Sequence, residues 1–511
     1  MSKNILILYQ LPKHNDNILD YDYKSSFSVF PNMPLFKYGF HYYIHQTKDK
    51  MAIFEKDDKN KSREVHKIIN PYEDTVPQEE ATKQYKNDTL KPTDDINTFS
   101  IKYFSSDKII SRAFYKMWEL LMMFPLIKDN SKNITTIHMA EAPGSFVQAI
   151  IYYRHKFFTK EQTEKDIYIA TSIDNEKKTN EYIPSFHQNI VSIKQFKQWA
   201  YKNSDLTQSH IIDKFIKDNE NNKADLITAD GGFNWKDENY QEQEAYILLL
   251  SEIYCALNVQ KKNGCFVIKF FEIFTEVTVK MIEILKQYYD NVLITKPLLS
   301  RISNSERYII CLNFNDSKSN LDKIYNIIKK SHENSDKYLI DIFPDYIINP
   351  TIDIIIKLSS TQLANEQHKQ INEMITYYNE GNYYGETYRK YLTARRKAND
   401  DWINLFFPLN NKELEATRKV INNLMINNLE KTKILLDKFN ITLNTYSVIT
   451  NETNETNETN ETNETNETKI KEPKEPKEPK ETKKTKEKET LISLDKSKSK
   501  KQSKKQSKSK K

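Results

Sequence analysis

Between residues 135 and 314 the chain alternates short apolar runs with amphipathic segments, and this rhythm constrains its fold more than any other feature. The runs are Thr135 to Ala140, Ile167 to Ile173, Ile190 to Ile193, Asp225 to Ala229, Cys265 to Phe270, Val292 to Thr295 and Tyr308 to Phe314. Each is too short for a globular helix and rich in Ile, Val or Phe, which suits a buried strand. Between the fourth and fifth, Ala245, Leu248, Leu249, Glu252, Ile253, Ala256 and Leu257 recur at helical spacing. Strands separated by helices specify an α/β fold: a mostly parallel seven-stranded sheet with helices on both faces. The last two strands are joined by Lys296 to Arg307, which has no helical pattern, so the final strand is expected to run antiparallel. A further helix is expected from Ser111 to Phe124, where Ala113, Met117, Leu120, Leu121 and Phe124 share one face.

Outside this region the pattern changes. Residues 1–95 read as an accessory region, 96–320 as the α/β domain, 321–450 as a helical appendage and 451–511 as a disordered tail. The tail opens with six copies of Asn-Glu-Thr and ends, from Lys496 to Lys511, in nine lysines without an acid. With almost nothing apolar to bury, such a segment cannot offset the entropy of ordering. It holds 18 lysines against 13 acids, so most of the net charge of +6 belongs to it and the remainder is nearly neutral. The terminal lysines suit RNA contact, a nuclear address or a merely solvated end. No apolar stretch approaches the roughly 20 residues of a membrane span. The run Ile5 to Leu8 is too short for a signal-peptide core, so secretion is not expected. The three cysteines, Cys255, Cys265 and Cys311, lack metal or redox spacing, which fits a reducing intracellular compartment.

In a doubly wound sheet, ligands bind at the carboxyl ends of the strands, near the reversal of strand order. Only 7 glycines occur in 511 residues, and Gly144, Gly231 and Gly232 fall at such ends. The first strand ends in Ala140-Glu-Ala-Pro-Gly-Ser-Phe146, the second before Asp174, the fourth in Thr228-Ala-Asp-Gly-Gly-Phe-Asn-Trp235 and the fifth in Phe266-Val-Ile-Lys269. A strand-ending aspartate is often only a helix cap. Lys269 is harder to set aside, because a lysine inside an apolar strand requires a partner. Asp230, on the neighbouring strand end, is its natural one.

These stretches resemble the FtsJ-like RNA 2'-O-methyltransferases, within them the Adrift-type subgroup found in eukaryotic cap methyltransferases and large DNA viruses. The resemblance runs through Arg112-Ala-Phe-Tyr-Lys-Met-Trp-Glu119, Glu141-Ala-Pro-Gly-Ser-Phe146, Thr228-Ala-Asp-Gly-Gly-Phe233, Gln243-Glu-Ala245, Phe266-Val-Ile-Lys-Phe270, Lys296-Pro297 and Ser305-Glu306. It implies a Rossmann-like class I methyltransferase fold, S-adenosylmethionine as cofactor and an RNA partner, most readily capped mRNA. It places catalytic residues at Lys116, Asp230, Lys269 and Glu306. Donor contacts are implied at Gly144, Phe146 and Asp230, with Asp174 on the ribose and Asp205 on the adenine. Where many methyltransferases carry several glycines, this chain has Pro143-Gly144-Ser145, a departure that bears on the loop's shape. A capping or transcription assembly is a candidate partner, and a cytoplasmic, viral-factory, virion or nuclear setting is compatible with the reading. Two alternatives stay open: methylation of ribosomal or other uncapped RNA, and an inactive RNA-binding scaffold subunit.

Moving a methyl group from a sulfonium to a ribose hydroxyl requires both reactants in near-attack geometry and a base for a poorly acidic proton. Lys269 serves as base if its pKa is lowered, which burial and the nearby cation Lys116 would favour. Asp230 is expected to orient Lys269, and Glu306 to hold the lysines in register. No metal is expected; His41 and His45 are four apart but have no third ligand. Taken singly, Lys116 could be a solvated helix residue and Glu306 a surface ion-pair partner.

Overall fold

A computed structural model describes residues 6–14, 16–31, 40–56, 65–73, 109–174, 185–232, 235–317, 319–380 and 384–438. The expected low-complexity tail, Gly39 and Gly381 lie outside these. In chain order the strands are β1 (Ile7–Gln10), β2 (Ser25–Ser28), β3 (Thr135–Met139), β4 (Ile167–Ala170), β5 (Phe196–Gln198), β6 (Ala224–Ala229), β7 (Gln260–Phe270), β8 (Tyr289–Lys296), β9 (Arg307–Phe314) and β10 (Tyr338–Ile342). The principal helices are α1 (Phe40–Asp49), α2 (Ala113–Met123), α3 (Ser145–Phe157), α4 (Ser209–Asn219), α5 (Tyr246–Val259), α6 (Glu276–Tyr288), α7 (Leu321–Glu333), α8 (Pro350–Glu380), α9 (Gly385–Phe406) and α10 (Asn411–Asp437).

Eight strands form one sheet in the order β1-β8-β9-β7-β6-β3-β4-β5. The five from β5 to β7 are mutually parallel, and β9 runs antiparallel to both β7 and β8, as its helix-free connection requires. Two expectations are corrected. The sheet has eight strands, not seven, because β1 pairs antiparallel with the edge of β8. A piece of the supposed accessory region is thus part of the sheet, with Ile7 and Tyr9 facing one core and Leu6 and Leu8 the other. The third strand is Phe196–Gln198 and not Ile190 to Ile193. Ile190 belongs to a single helical turn, Gln188–Val191, and both isoleucines are buried at a spacing of three, which a helical turn brings to one side. The true strand is polar, with only Phe196 buried, so its sequence carries no apolar run.

Strand alternation sends side chains to two separate cores. On β7, Phe266, Ile268 and Phe270 join the core under α4, α5, α6, α7 and α8, whereas Cys265 and Val267 join the core under α2, α3, α9 and α10. Period two therefore turns Lys269 towards the α2 face. On β9, Tyr308 and Ile310 also pack on the α2 face, and Tyr308 is the register partner of Lys269.

The flanking regions brace this arrangement. Lys48 of α1 donates to Glu272, just past β7, at 2.9 Å, and Arg307 at the start of β9 donates to Ser360 of α8 at 3.2 Å. On the opposite face, Trp118 of α2 donates to the Phe406 carbonyl at 2.6 Å, and Trp402 of α9 donates to the buried carboxylate of Glu119 at 2.8 Å. Glu119 also accepts the Leu298 and Leu299 amides at 2.7 and 3.0 Å, so one carboxylate joins α2, the β8–β9 loop and the C-terminal helices. Burial pushes its pKa up to about 7. Trp402→Phe removes a single donor from this buried acceptor. Its expected cost is about 1–3 kcal/mol of stability, read by urea unfolding, and an unchanged midpoint would show that α9 does not secure α2.

Candidate active site

At the carboxyl end of β3 the chain turns at Gly144, whose φ of +107° lies where a side chain is strained. A Cβ there would also lie 3.1 Å from Ile190. The helix that follows leaves its first amides without partners, and Glu141 accepts two of them, from Phe146 at 2.8 Å and Val147 at 3.1 Å. Burial lifts Glu141 to about 8. On the neighbouring end of β6, a Cβ on Gly231 would lie 2.5 Å from Glu252 Oε1 and 3.2 Å from Ala140 Cβ. The ends of β3 and β6, where strand order reverses, are thus in close contact. Glu252 is itself buried, with its pKa raised to about 8 by desolvation, and among the described residues its Oε1 has no hydrogen-bond partner.

The four residues matched to a catalytic set meet at these strand ends. Lys269 Nζ lies 3.0 Å from Asp230 Oδ1 and donates to the Asp230 carbonyl at 2.9 Å. Lys116 Nζ reaches both oxygens of Glu306, at 2.6 and 2.9 Å. The sequence leaves Lys116 beside an apolar face, but α2 is covered almost all round, and the Lys116 side chain is only 15% exposed. Tyr308 joins the two pairs, its hydroxyl lying 3.2 Å from Asp230 Oδ1 and 2.7 Å from Glu306 Oε1.

Electrostatics differ from expectation at Lys269. Burial pulls its pKa down, but the charges of Asp230 and Glu306 outweigh that and hold it above its ordinary value. In Glu306 burial opposes ionisation, yet Lys116, Lys269 and Lys296 hold the carboxyl far below the usual range. The site is a compensated cluster of ammonium and carboxylate groups, and Lys269 is a cation within it.

Of the residues matched to donor contacts, Gly144 and Asp230 line adjoining strand ends. Asp174 is exposed past β4, and its amide donates to the Asn203 carbonyl at 2.8 Å, which brings the loops after β4 and β5 together. Asp205 fastens the turn ahead of α4: Oδ1 accepts the Thr207 amide at 2.9 Å and hydroxyl at 2.7 Å, while Oδ2 has a longer 3.4 Å contact from Gln208. Phe146 is buried with its amide taken by Glu141, and its ring centroid lies 6.1 Å from that of Tyr308. It supports the site from beneath and does not face outward.

Sequence reasoning passed over Tyr308 and the role of Lys296. A tyrosine in an apolar strand signals only core, although its position two beyond Glu306 puts both on one face. Lys296, at the end of β8, donates to Asn304 Oδ1 at 2.7 Å, the Asn304 carbonyl at 3.1 Å and the Glu306 carbonyl at 2.5 Å. Asn304 in turn donates to Glu306 Oε2 at 3.3 Å. Burial brings Lys296 down to about 7.

Beside this cluster, Glu73 binds two guanidiniums. It accepts from Arg301 Nε at 3.0 Å and Nη2 at 2.5 Å, and from Arg112 Nη1. Arg112 also donates to the Leu299 carbonyl at 2.6 Å.

Residues 109–314 match the FtsJ-like methyltransferase family. The chain carries an FtsJ-like methyltransferase domain. S-adenosylmethionine is the methyl donor that goes with this domain. A relative from Drosophila melanogaster, cap-specific mRNA (nucleoside-2'-O-)-methyltransferase 2, is 26% identical over 260 residues, covering 49% of this chain and 37% of the relative. An uncharacterized protein of Acanthamoeba polyphaga mimivirus is 25% identical over 314 residues, covering 58% of this chain and 37% of its own length. Mouse cap-specific mRNA (nucleoside-2'-O-)-methyltransferase 1 is 40% identical over 99 residues, covering 19% of this chain and 12% of the relative. The chain spans little more than a third of the first two relatives. Among the described residues, no three His, Cys, Asp or Glu side chains cluster as metal ligands, and no helix is long and apolar enough to cross a membrane.

Outside the FtsJ-like domain, Glu73 lends itself to a pH test. Burial alone would raise its pKa, but hydrogen bonds from Arg301 and the Arg112 charge hold it down at about 2, against 4.5 ordinarily. A depressed folded-state pKa gives stability that is complete above the unfolded value and lost as pH falls through the folded one. Glu73→Gln is therefore expected to cost about 2 kcal/mol at pH 7, the exposure of Arg301 screening part of the pair. In urea unfolding across a pH series, the gap between wild type and variant should narrow below pH 4.5 and close towards pH 2; a gap independent of pH would refute the ion-pair account.

Proposed function

We propose that this chain is an S-adenosylmethionine-dependent RNA 2'-O-ribose methyltransferase, acting on the cap-proximal nucleotide of mRNA, with Lys116, Asp230, Lys269 and Glu306 as its catalytic groups. The observation that carries the reading is the Lys269–Asp230 pair, 3.0 Å apart at the carboxyl ends of adjacent parallel strands, with Lys116 and Glu306 paired beside it. The names of the Drosophila and mouse relatives support capped mRNA as substrate.

The chain's own residues fit the donor. Gly144 allows close approach of backbone, exposed Asp174 suits ribose hydroxyls, and Oδ2 of Asp205 is the oxygen better placed to accept from an adenine amine. S-adenosylmethionine supplies a methyl group on a positively charged sulfur. Asp230, at the junction of β3 and β6, faces both that region and Lys269. A positive charge bound beside Asp230 would weaken its hold on the Lys269 proton, lowering the Lys269 pKa towards the range a base requires and letting that proton pass to solvent. Lys269, neutral once its own proton has passed to solvent, would then accept the ribose hydroxyl proton as the oxygen takes the methyl group. Lys116, fixed on Glu306, keeps a second positive charge at the site and opposes re-protonation of Lys269, and Tyr308 holds the two carboxylates in a common frame.

A positioned base contributes about 10² to 10⁴ in rate. With labelled donor and matched capped and uncapped transcripts, wild type is expected to label capped RNA preferentially. Lys269→Ala is expected to lose at least about 10²-fold in turnover while binding the donor within a few-fold of wild type. Equal labelling of both transcripts would overturn the cap assignment, and full activity in Lys269→Ala would overturn the lysine-base mechanism.

A further inference from the structure

The Arg112–Glu73–Arg301 cluster lies outside the groups assigned to catalysis, and its carboxylate comes from the N-terminal region. Two guanidiniums share one carboxylate, so the cluster keeps one net positive charge. The cations are not equivalent. Arg112 is spent on structure: its side chain is 21% exposed, and Nη2 is occupied by the Leu299 carbonyl. Arg301 is 42% exposed, and Glu73 takes only its Nε–Nη2 edge. Among the described residues, Arg301 Nη1 has no acceptor. Glu73 is in turn fixed by Asn70, which donates to Oε2 at 2.8 Å, so the guanidinium is held in plane by one edge with the other open.

The cluster also lies beside the catalytic groups. Arg112 is one helical turn before Lys116, and Arg301 belongs to the loop that ends in Glu306, whose charge acts on Arg301. The other titratable neighbour, His66, is brought down to about 4 by burial and by Arg301, so it is neutral at pH 7 and neither adds to nor cancels the charge. A guanidinium with a fixed plane and a free edge matches the paired oxygens of a phosphodiester, and pre-ordering by Glu73 reduces the entropy lost on binding.

We propose that Arg301, held edge-on by Glu73, is an RNA phosphate clamp that binds a backbone phosphodiester flanking the ribose presented to Lys269. The contact reads no base, and it gives residues 65–73 a part in substrate binding. The inference rests on the RNA methyltransferase reading of the same site.

The test is equilibrium binding of a short single-stranded RNA to the full chain across a salt series, with Arg301→Ala and Arg301→Lys beside wild type. Each phosphate contact on a single strand contributes about 0.7 to the slope of log affinity on log salt. Arg301→Ala is expected to weaken binding several-fold at low salt and to reduce the slope by about 0.7. Arg301→Lys, which keeps the charge without the fork, is expected to retain the wild-type slope with affinity between the other two. Thermal unfolding of each variant establishes that it is folded, and if Arg301→Ala is not, Arg301→Gln takes its place. A wild-type slope in the charge-removing variant would overturn the clamp and leave Arg301 as a strut for Glu73. Methyl transfer by wild type is measured separately, so RNA bound with the expected slope but not methylated would refute the enzymatic reading and not the clamp.

Discussion

Everything at the strand ends depends on charge compensation among buried groups. Two lysines and two carboxylates occupy a region where any one alone would be strongly disfavoured. Lys269 is tolerated because Asp230 lies 3.0 Å away, and Glu306 because Lys116 reaches both its oxygens. Tyr308 spans the two pairs and makes them one network. Removing one member leaves its partner buried and unpaired, so the interactions proposed to poise the chemistry also hold the ends of β6, β7 and β9 in register.

The rest of the molecule fixes the geometry of that network. Strand parity aims Lys269, Glu306 and Tyr308 at α2, and α2 brings Lys116 to meet them. The C-terminal helices clamp α2 through Trp118, Trp402 and Glu119, while Lys296 and Asn304 fasten the loop that delivers Glu306. The N-terminal region closes the edge of the sheet with β1 and reaches the same loop through Glu73. Segments without a chemical motif of their own therefore determine whether the proposed catalytic groups are held to within fractions of an ångström.

Much of this was legible in the sequence because apolar runs in a parallel sheet are buried on both faces and stand out from their surroundings. The strands carrying Asp230 and Lys269 were of that kind, and their neighbouring ends follow from topology. Phe196–Gln198 was hidden because an edge strand with one buried residue has no apolar signature. The run at Ile7 was hidden because nothing local says that it pairs with β8, almost 300 residues away. The protonation of Lys269 was misread for a different reason: burial and Lys116 were counted, but the balance depends on how near both carboxylates lie, and distance is not written in a sequence. Glu73 and Arg301 are separated by a long stretch of chain and share no motif, so their meeting emerges only from the fold.

The central claim is that the group methylated is a ribose 2'-hydroxyl placed against Lys269. It is tested most directly by offering labelled donor and a short capped RNA in which the cap-proximal nucleotide alone is a 2'-deoxyribose. The account predicts that incorporation seen with the all-ribose RNA disappears; retained label on the deoxy-substituted RNA would contradict it.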